Sequence, residues 1–258
     1  MYKFIDPNGR INPITLQPSD NMKINGRFLN EIVEGYRQLD IDGRGLVDAD
    51  VDTDKVPGRD GVIIKRTQLK PREIVVSFVL SAETSKQLRE RFAKLNKTLQ
   101  GPLQISFADD EGWYYDAVLS SATTPPERSL IVKGKFTLLC ASPYKYSELK
   151  SSSNGNISGI EALEVLPSRI VAEISKTTNN VEISNGRTRI GFKGNYDTGN
   201  RITVFYKSDE IDIRYEGRRI LHELNFFTAP EEFYIRNGDT ITGTNCRVVA
   251  VEWRDKQL

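Results

Sequence analysis

The chain has 258 residues, with 36 Lys and Arg against 35 Asp and Glu, one histidine and two cysteines. Balanced charge excludes the clustered cationic excess through which proteins bind nucleic acid by phosphate contacts and counterion release. One histidine and two cysteines exclude the usual zinc sites and a disulfide framework, and leave any nucleophilic triad a single possible base. The length suits two small domains or one large one. MYKFIDPNGR has no apolar run of signal-peptide length, and no stretch approaches the roughly 18 apolar residues of a membrane span, so neither signal-peptide secretion nor membrane insertion is expected. Cys140 and Cys246 sit in FTLLCAS and TNCRVVAV, where a thiol behaves as a small buried hydrophobe.

Residues 1 to about 60 carry short apolar pieces (KFI, MKING, FLNEIV), then LDIDGRGLVDADVDTDKVPGRDG, which is too polar and glycine-rich for a core. A stretch this long without a period of its own reads as an exposed excursion with a function or an interface. From residue 60 onward alternation predicts strands in GVIIKRTQ, EIVVSFVLS, LQISFAD, WYYDAVLSSA and RSLIVKGKFTLLCA. One segment breaks the period. Leu88, Phe92, Leu95 and Leu99 recur at helical spacing, Thr84 with Gln87 forms a capping box, and Gly101-Pro102 is the stop, which predicts one helix over 85–99 packed on a sheet.

The strand pattern ends after Ser142-Pro143-Tyr144-Lys145-Tyr146, and the polar stretch 148–158, with SSSNGN, reads as a linker between domains over 1–147 and 159–258. In the second domain IVAEIS, VEISNG, RIGFKG, NRITVFYK, EIDIRYEG, EEFYIRNGD and CRVVAVEWRD follow at close spacing. Asn185-Gly186 and Glu216-Gly217 are the hairpin turns, and KGNYDTGN is a turn in which Gly194, Asn195, Gly199 and Asn200 serve positive φ. This is the pattern of an antiparallel β-sandwich. The fold class is therefore mainly β with one helix.

Few residues offer chemistry. Asp48, Asp50, Asp52 and Asp54 alternate as in a calcium loop, but an EF-hand starting at Asp48 needs Gly and Glu where Thr53 and Arg59 stand. The run reads instead as a solvated acidic arm or a contact for a basic surface, and Arg59, Lys65 and Arg66 nearby allow head-to-tail pairing of identical subunits. Asp109-Asp110-Glu111-Gly112 before Trp113-Tyr114-Tyr115 could mimic a glycosidase carboxylate pair, but it has the form of a hairpin tip. His222, in RRILHELN, has no nucleophile motif near it and reads as a packed or edge-strand histidine. GRGLVD, VPGRDG and VKGKF lack the spacing of a phosphate-binding loop. The residues alone give a two-domain, mainly β, non-enzymatic binding or assembly protein without a cofactor or metal.

The order of the pieces carries more. MKINGRFLNEIV, VPGRDG at 56–61, REIVVSFVL, the helix SKQLRERFAKLNKTL, PLQISFADDEGWYYDAVL and GKFTLLCASPYKY together resemble the N-terminal domain of siphophage distal tail proteins, over about residues 20–146. FKGNYDTGNRITVFYKSDEIDIRYEGRRILHEL and EEFYIRNGDTITGTNCRVVAVEWRD are similar to the galectin-like sandwich that completes them. Residues 1–20 have no counterpart and read as an extension or an extra strand.

The resemblance implies a barrel-like, ring-forming N-terminal domain and a galectin-like sandwich. It implies a homo-hexameric ring, single or stacked, at the tail tip of the virion, assembled in the host cytoplasm. Its partners would be the major tail tube protein on one side and the tail-associated lysin or adhesin and receptor-binding proteins on the other. The excursion at about 43–60 would be an arm reaching the neighbouring subunit, with Asp48, Asp50, Asp52, Asp54, Arg59, Asp60 and Gly61 at the interface. A rival reading makes the sandwich a carbohydrate-binding module for host glycans, but Trp253, Tyr206, Tyr215 and His222 are scattered and Trp253 stands in the alternating VVAVEW. A third, a wall hydrolase centred on DEGWYYD, has the weakest support.

Overall fold

The computed structural model describes residues 18–123, 129–207, 210–226 and 228–258. The KFI piece and most of the 1–20 extension therefore lie outside the described residues. The chain divides into two compact units, one running to Lys145 and the other Tyr146–Gln257.

The first unit contains β1 (Met22–Ile24), β2 (Arg27–Phe28), the single-turn helix α1 (Leu29–Ile32), β3 (Tyr36–Asp42), β4 (Ala49–Asp54), β5 (Ile63–Leu69), β6 (Arg72–Ser81), α2 (Ser85–Thr98), β7 (Leu103–Phe107), β8 (Trp113–Ala122) and β9 (Ile131–Cys140). The main sheet runs β2-β1-β7-β8-β9-β6-β3, while β4 and β5 pair only with each other. Alternation along β6 turns Ile74, Val76, Phe78 and Leu80 inward. Leu88, Leu95 and Leu99, at the helical spacing of α2, join them in one core with Phe107 and Phe136.

The start of α2 is set by the predicted residues. Thr84 Oγ1 accepts the Gln87 N–H at 3.2 Å, and Gln87 Oε1 accepts the Glu83 N–H at 3.1 Å. Thr84→Ala is expected to cost about 1 kcal/mol, measured by urea unfolding, and Thr84→Ser to restore it.

The second unit follows β10 (Lys145–Ser147), which spans the boundary, with β11 (Lys150–Ser152), β12 (Pro167–Ile174), β13 (Thr178–Ser184), β14 (Arg189–Tyr196), β15 (Arg201–Tyr206), β16 (Ile211–Tyr215), β17 (Arg218–Arg219), β18 (Thr242–Thr244), β19 (Cys246–Trp253) and β20 (Lys256–Gln257). Two sheets, β11-β19-β12-β15-β16-β17 and β14-β13-β18, contribute to one core that includes Ile170, Phe192, Tyr196, Val204, Phe233 and Trp253. The φ > 0 pair Glu216 and Gly217 turns β16 into β17, as the sequence indicates.

Three local expectations are corrected. The polar stretch 148–158 contains β11, whose Lys150–Ser152 backbone pairs with Val251–Trp253 of β19, so polar composition there marks an edge strand. EEFYIRNGD forms a 3₁₀ turn at Pro230–Glu232 and one isolated bridge, Ile235 to Val165. Proline favours the first helical position, and the apparent alternation comes from burial of Phe233 and Ile235 on an irregular path. Of the residues assigned positive φ in KGNYDTGN, Gly199 has it, whereas Gly194 and Asn195 lie inside β14.

Cys140 and Cys246 are free and buried, and burial pushes both thiols up to about 11. Ellman's reagent at pH 8 is therefore expected to find no reactive thiol in the native chain and two after unfolding.

Candidate functional site

Strands β4 and β5 form an antiparallel hairpin with Asp50 opposite Gln68, Val51 opposite Thr67 and Asp52 opposite Arg66. Every residue of β4 is exposed, and in β5 only Leu69 is partly covered. Side chains two apart on a strand share a face, so Asp50, Asp52 and Asp54 line one side of the arm. Asp48 stands at its base, where its carbonyl accepts the Lys70 N–H at 2.9 Å, and Arg59, Asp60 and Gly61 occupy the tip, where the Arg59 N–H bonds the Val56 carbonyl at 3.2 Å.

The fold thus brings the predicted interface residues onto one element, with different limits. The arm runs over 48–70, because β5 belongs to it and not to the domain sheet. Nor are the aspartates bare: Lys65 Nζ lies 2.9 Å from Asp54, and Lys70 Nζ lies 3.2 Å from Asp50. Exposed pairs of this kind contribute less than about 1 kcal/mol. They do not account for the hairpin's stability. A lone two-stranded hairpin is marginal in water, and this one exposes Val51, Val62, Ile63 and Ile64 by 44–63%. Among the described residues nothing in the chain packs on these side chains as a core.

The root of the arm is fixed. Gly43 has φ +91°, and a Cβ there would stand 1.9 Å from the Glu73 carbonyl oxygen, so only glycine fits. Arg72, 3% exposed, donates from Nη1 to the carbonyls of Gly43 (2.8 Å) and Gly45 (3.0 Å) and from Nε to that of Pro143 (3.1 Å). Its guanidinium lies 5.6 Å from the Tyr115 ring centre. Burial raises the Tyr115 phenol's pKa against the pull of Arg72 and Arg44, so the ring stays neutral.

Arg44 grips both oxygens of Asp109 at 3.0 and 2.8 Å and lies 4.1 Å over Phe107. Lys145 grips both oxygens of Asp110 at 3.0 and 2.8 Å. The DDEGW segment, 109–113, is therefore a hairpin tip, as read, but its two aspartates anchor the arm root and Lys145. They are not a free acid/base pair.

The aromatic set of the carbohydrate reading does not form a platform. Trp253 is 2% exposed, and Tyr206 and Tyr215 pack against the core. His222, expected on an edge strand or packed, sits in a 3₁₀ turn, Leu221–Glu223, with its side chain 71% exposed. Among the described residues no group of three or more His, Cys, Asp or Glu is arranged to hold a metal ion, and no helix is long and apolar enough to cross a membrane.

Sequence reasoning missed Arg72. The signal was present: Arg72 is in phase with Ile74, Val76, Phe78 and Leu80, so alternation alone turns it inward, where a buried cation needs a reason.

Known proteins place this geometry. The fold matches the crystal structure of the Dit (gp 19.1) protein of phage SPP1, described as a paradigm of the hub adsorption apparatus in phages infecting Gram-positive bacteria, with a TM-score of 0.72, 16% identity, and coverage of 92% of this chain and 99% of that one. A chain of the phage P2 baseplate in its activated conformation with calcium matches with a TM-score of 0.52 and 11% identity, over 87% of this chain and 91% of that one. Among curated proteins none matches the sequence. The family model of the phage tail protein RIFT-related domain matches residues 22–140, which hold the main sheet, α2 and the arm. Residues 22–140 therefore form a phage tail protein RIFT-related domain, and the fold of the chain is that of the phage Dit protein.

Proposed function

We propose that the chain is the structural subunit of a hexameric tail-tip hub, in one ring or two stacked rings. The ring joins the major tail tube protein on one side to the tail-associated lysin or adhesin and the receptor-binding proteins on the other. It does so as a scaffold, without catalysis. The observation that carries this reading is the arm: a rigidly rooted hairpin with an acidic face and exposed Val51, Ile63 and Ile64, with no packing partner of its own among the described residues. A protruding element that fits a different surface of an identical copy makes a heterologous contact, and such a contact repeated by rotation closes into a ring. Asp48, Asp50, Asp52, Asp54, Arg59, Asp60 and Gly61 then meet the neighbour, with charge setting register and the aliphatic side chains supplying burial.

Native mass spectrometry of the purified chain tests this. Six or twelve subunits are expected. A monomer at every concentration up to the solubility limit contradicts the proposal.

A further inference from the structure

Four Asn-Gly pairs occur in the chain: Asn25-Gly26, Asn154-Gly155, Asn185-Gly186 and Asn237-Gly238. A glycine leaves its own backbone nitrogen unshielded, so that nitrogen can reach the Cγ of the preceding Asn and close a succinimide ring. By sequence the four pairs are equivalent. The fold makes them unequal.

Asn185 is 6% exposed, with its amide donating to the Tyr234 carbonyl at 2.7 Å and its oxygen accepting the N–H groups of Arg187 and Thr188 at 2.9 and 2.7 Å. The Gly238 N–H, which would have to attack Asn237, donates to the Ile157 carbonyl at 2.9 Å, and Asn237 Oδ1 accepts the Gly159 N–H at 2.8 Å. Asn25, at φ +49° in the turn between β1 and β2, is tied to β7: its N–H donates to the Gln104 carbonyl at 2.7 Å, and its Oδ1 accepts the Gln104 N–H at 3.0 Å. Ring closure at any of these three must first break bonds to distant parts of the chain.

Asn154 differs. It is exposed, and its side-chain bonds are local: Oδ1 accepts the Ser152 hydroxyl at 2.9 Å and the Asn156 N–H at 3.1 Å. Two donors on that oxygen draw density from Cγ and stabilise the charge the oxygen takes on when a nitrogen adds. Among the described residues, neither Asn154 Nδ2 nor the Gly155 N–H makes a hydrogen bond.

We propose that Asn154-Gly155 is a self-modification site of the native chain. The Gly155 nitrogen bonds Asn154 Cγ and loses its proton, the bond from Cγ to the side-chain nitrogen breaks, and ammonia leaves. Water then opens the ring at either carbonyl, giving Asp or isoaspartate with no change of oxidation state. Either product carries a new carboxylate. It enters a pocket also lined by Glu173, Arg201 and Arg247, where two guanidiniums share one carboxylate at 3.3 and 3.4 Å. Isoaspartate also lengthens the main chain by a methylene group where there is no slack. A Cβ on Gly155 would stand 2.3 Å from the Ile241 carbonyl oxygen, and the Gly155 carbonyl accepts the Ile241 N–H at 2.8 Å.

Peptide mapping by mass spectrometry tests the site, on the full chain aged in mildly alkaline buffer with and without guanidinium chloride; each conversion adds about 1 Da. In the native chain Asn154 is expected to convert at least about tenfold faster than each of the other three, whereas in denaturant the four should agree within about threefold. Amide exchange at Ile241 should be faster in the aged native chain and unchanged by ageing in Asn154→Gln. A native Asn154 no faster than any of the other three, a lead that persists in denaturant, or unchanged exchange at Ile241 after conversion overturns the proposal.

Discussion

Replacing residues 49–69 with a short Gly-Ser link is expected to abolish ring closure while leaving both units folded. The join is sterically free, because the Asp48 carbonyl and the Lys70 N–H are already hydrogen-bonded at 2.9 Å. Nothing of the core is lost, since β4 is fully exposed and β5 nearly so. In the proposed ring, what is lost is the packing of Val51, Val62, Ile63 and Ile64 against a neighbouring copy. Buried interface anchors of this kind are worth about 2 kcal/mol or more each, so assembly at a fixed concentration should fall by more than about 100-fold. Mass photometry should then find single chains where the wild type gives rings, with a thermal midpoint within about 2 °C of the wild type. Rings of normal subunit number in the deleted chain would remove the arm from the interface.

Arg72→Met is expected to lower stability by about 3 kcal/mol and to release the arm root. Three charge-assisted hydrogen bonds to the carbonyls of Gly43, Gly45 and Pro143 are lost together, at about 1.5–3 kcal/mol each taken singly. Two facts reduce the sum. Arg72 Nη2 has no partner despite its burial, and burying a guanidinium without a carboxylate itself costs several kcal/mol. Arg44→Ala provides the contrast. The Arg44 side chain is 21% exposed and the Asp109 side chain 39% exposed, so losing that pair should cost no more than about 1 kcal/mol. Urea unfolding measures both, and hydrogen exchange at Gly43 to Gly45 should rise far more in Arg72→Met. Equal effects of the two substitutions would place the root's rigidity elsewhere.

These two residues also show what a sequence reports and what it hides. Helix α2 was legible because its cap, its leucine spacing and its stop all lie within one segment and agree. The sandwich strands were legible because one buried face imposes a period of two. The strand β5 was legible in the same way, but alternation announces a strand and not its partner, and Ile63–Leu69 pairs with the aspartate run. EEFYIRNGD alternates because Phe233 and Ile235 are buried, although the backbone there is not in a ladder.

The arm's residues were singled out as a polar excursion with alternating aspartates, without being read as strands. Their supports were not, since Arg72 acts on carbonyls remote in sequence, at Gly43 and Pro143. Gly194 shows a related limit: read in sequence as a turn residue, it lies inside β14, where it gives room to Glu223.

The account rests on ring closure, and electron-microscopy class averages of the purified full-length protein test it most directly. The prediction is an annular particle with sixfold symmetry. Isolated particles without rotational symmetry would contradict it.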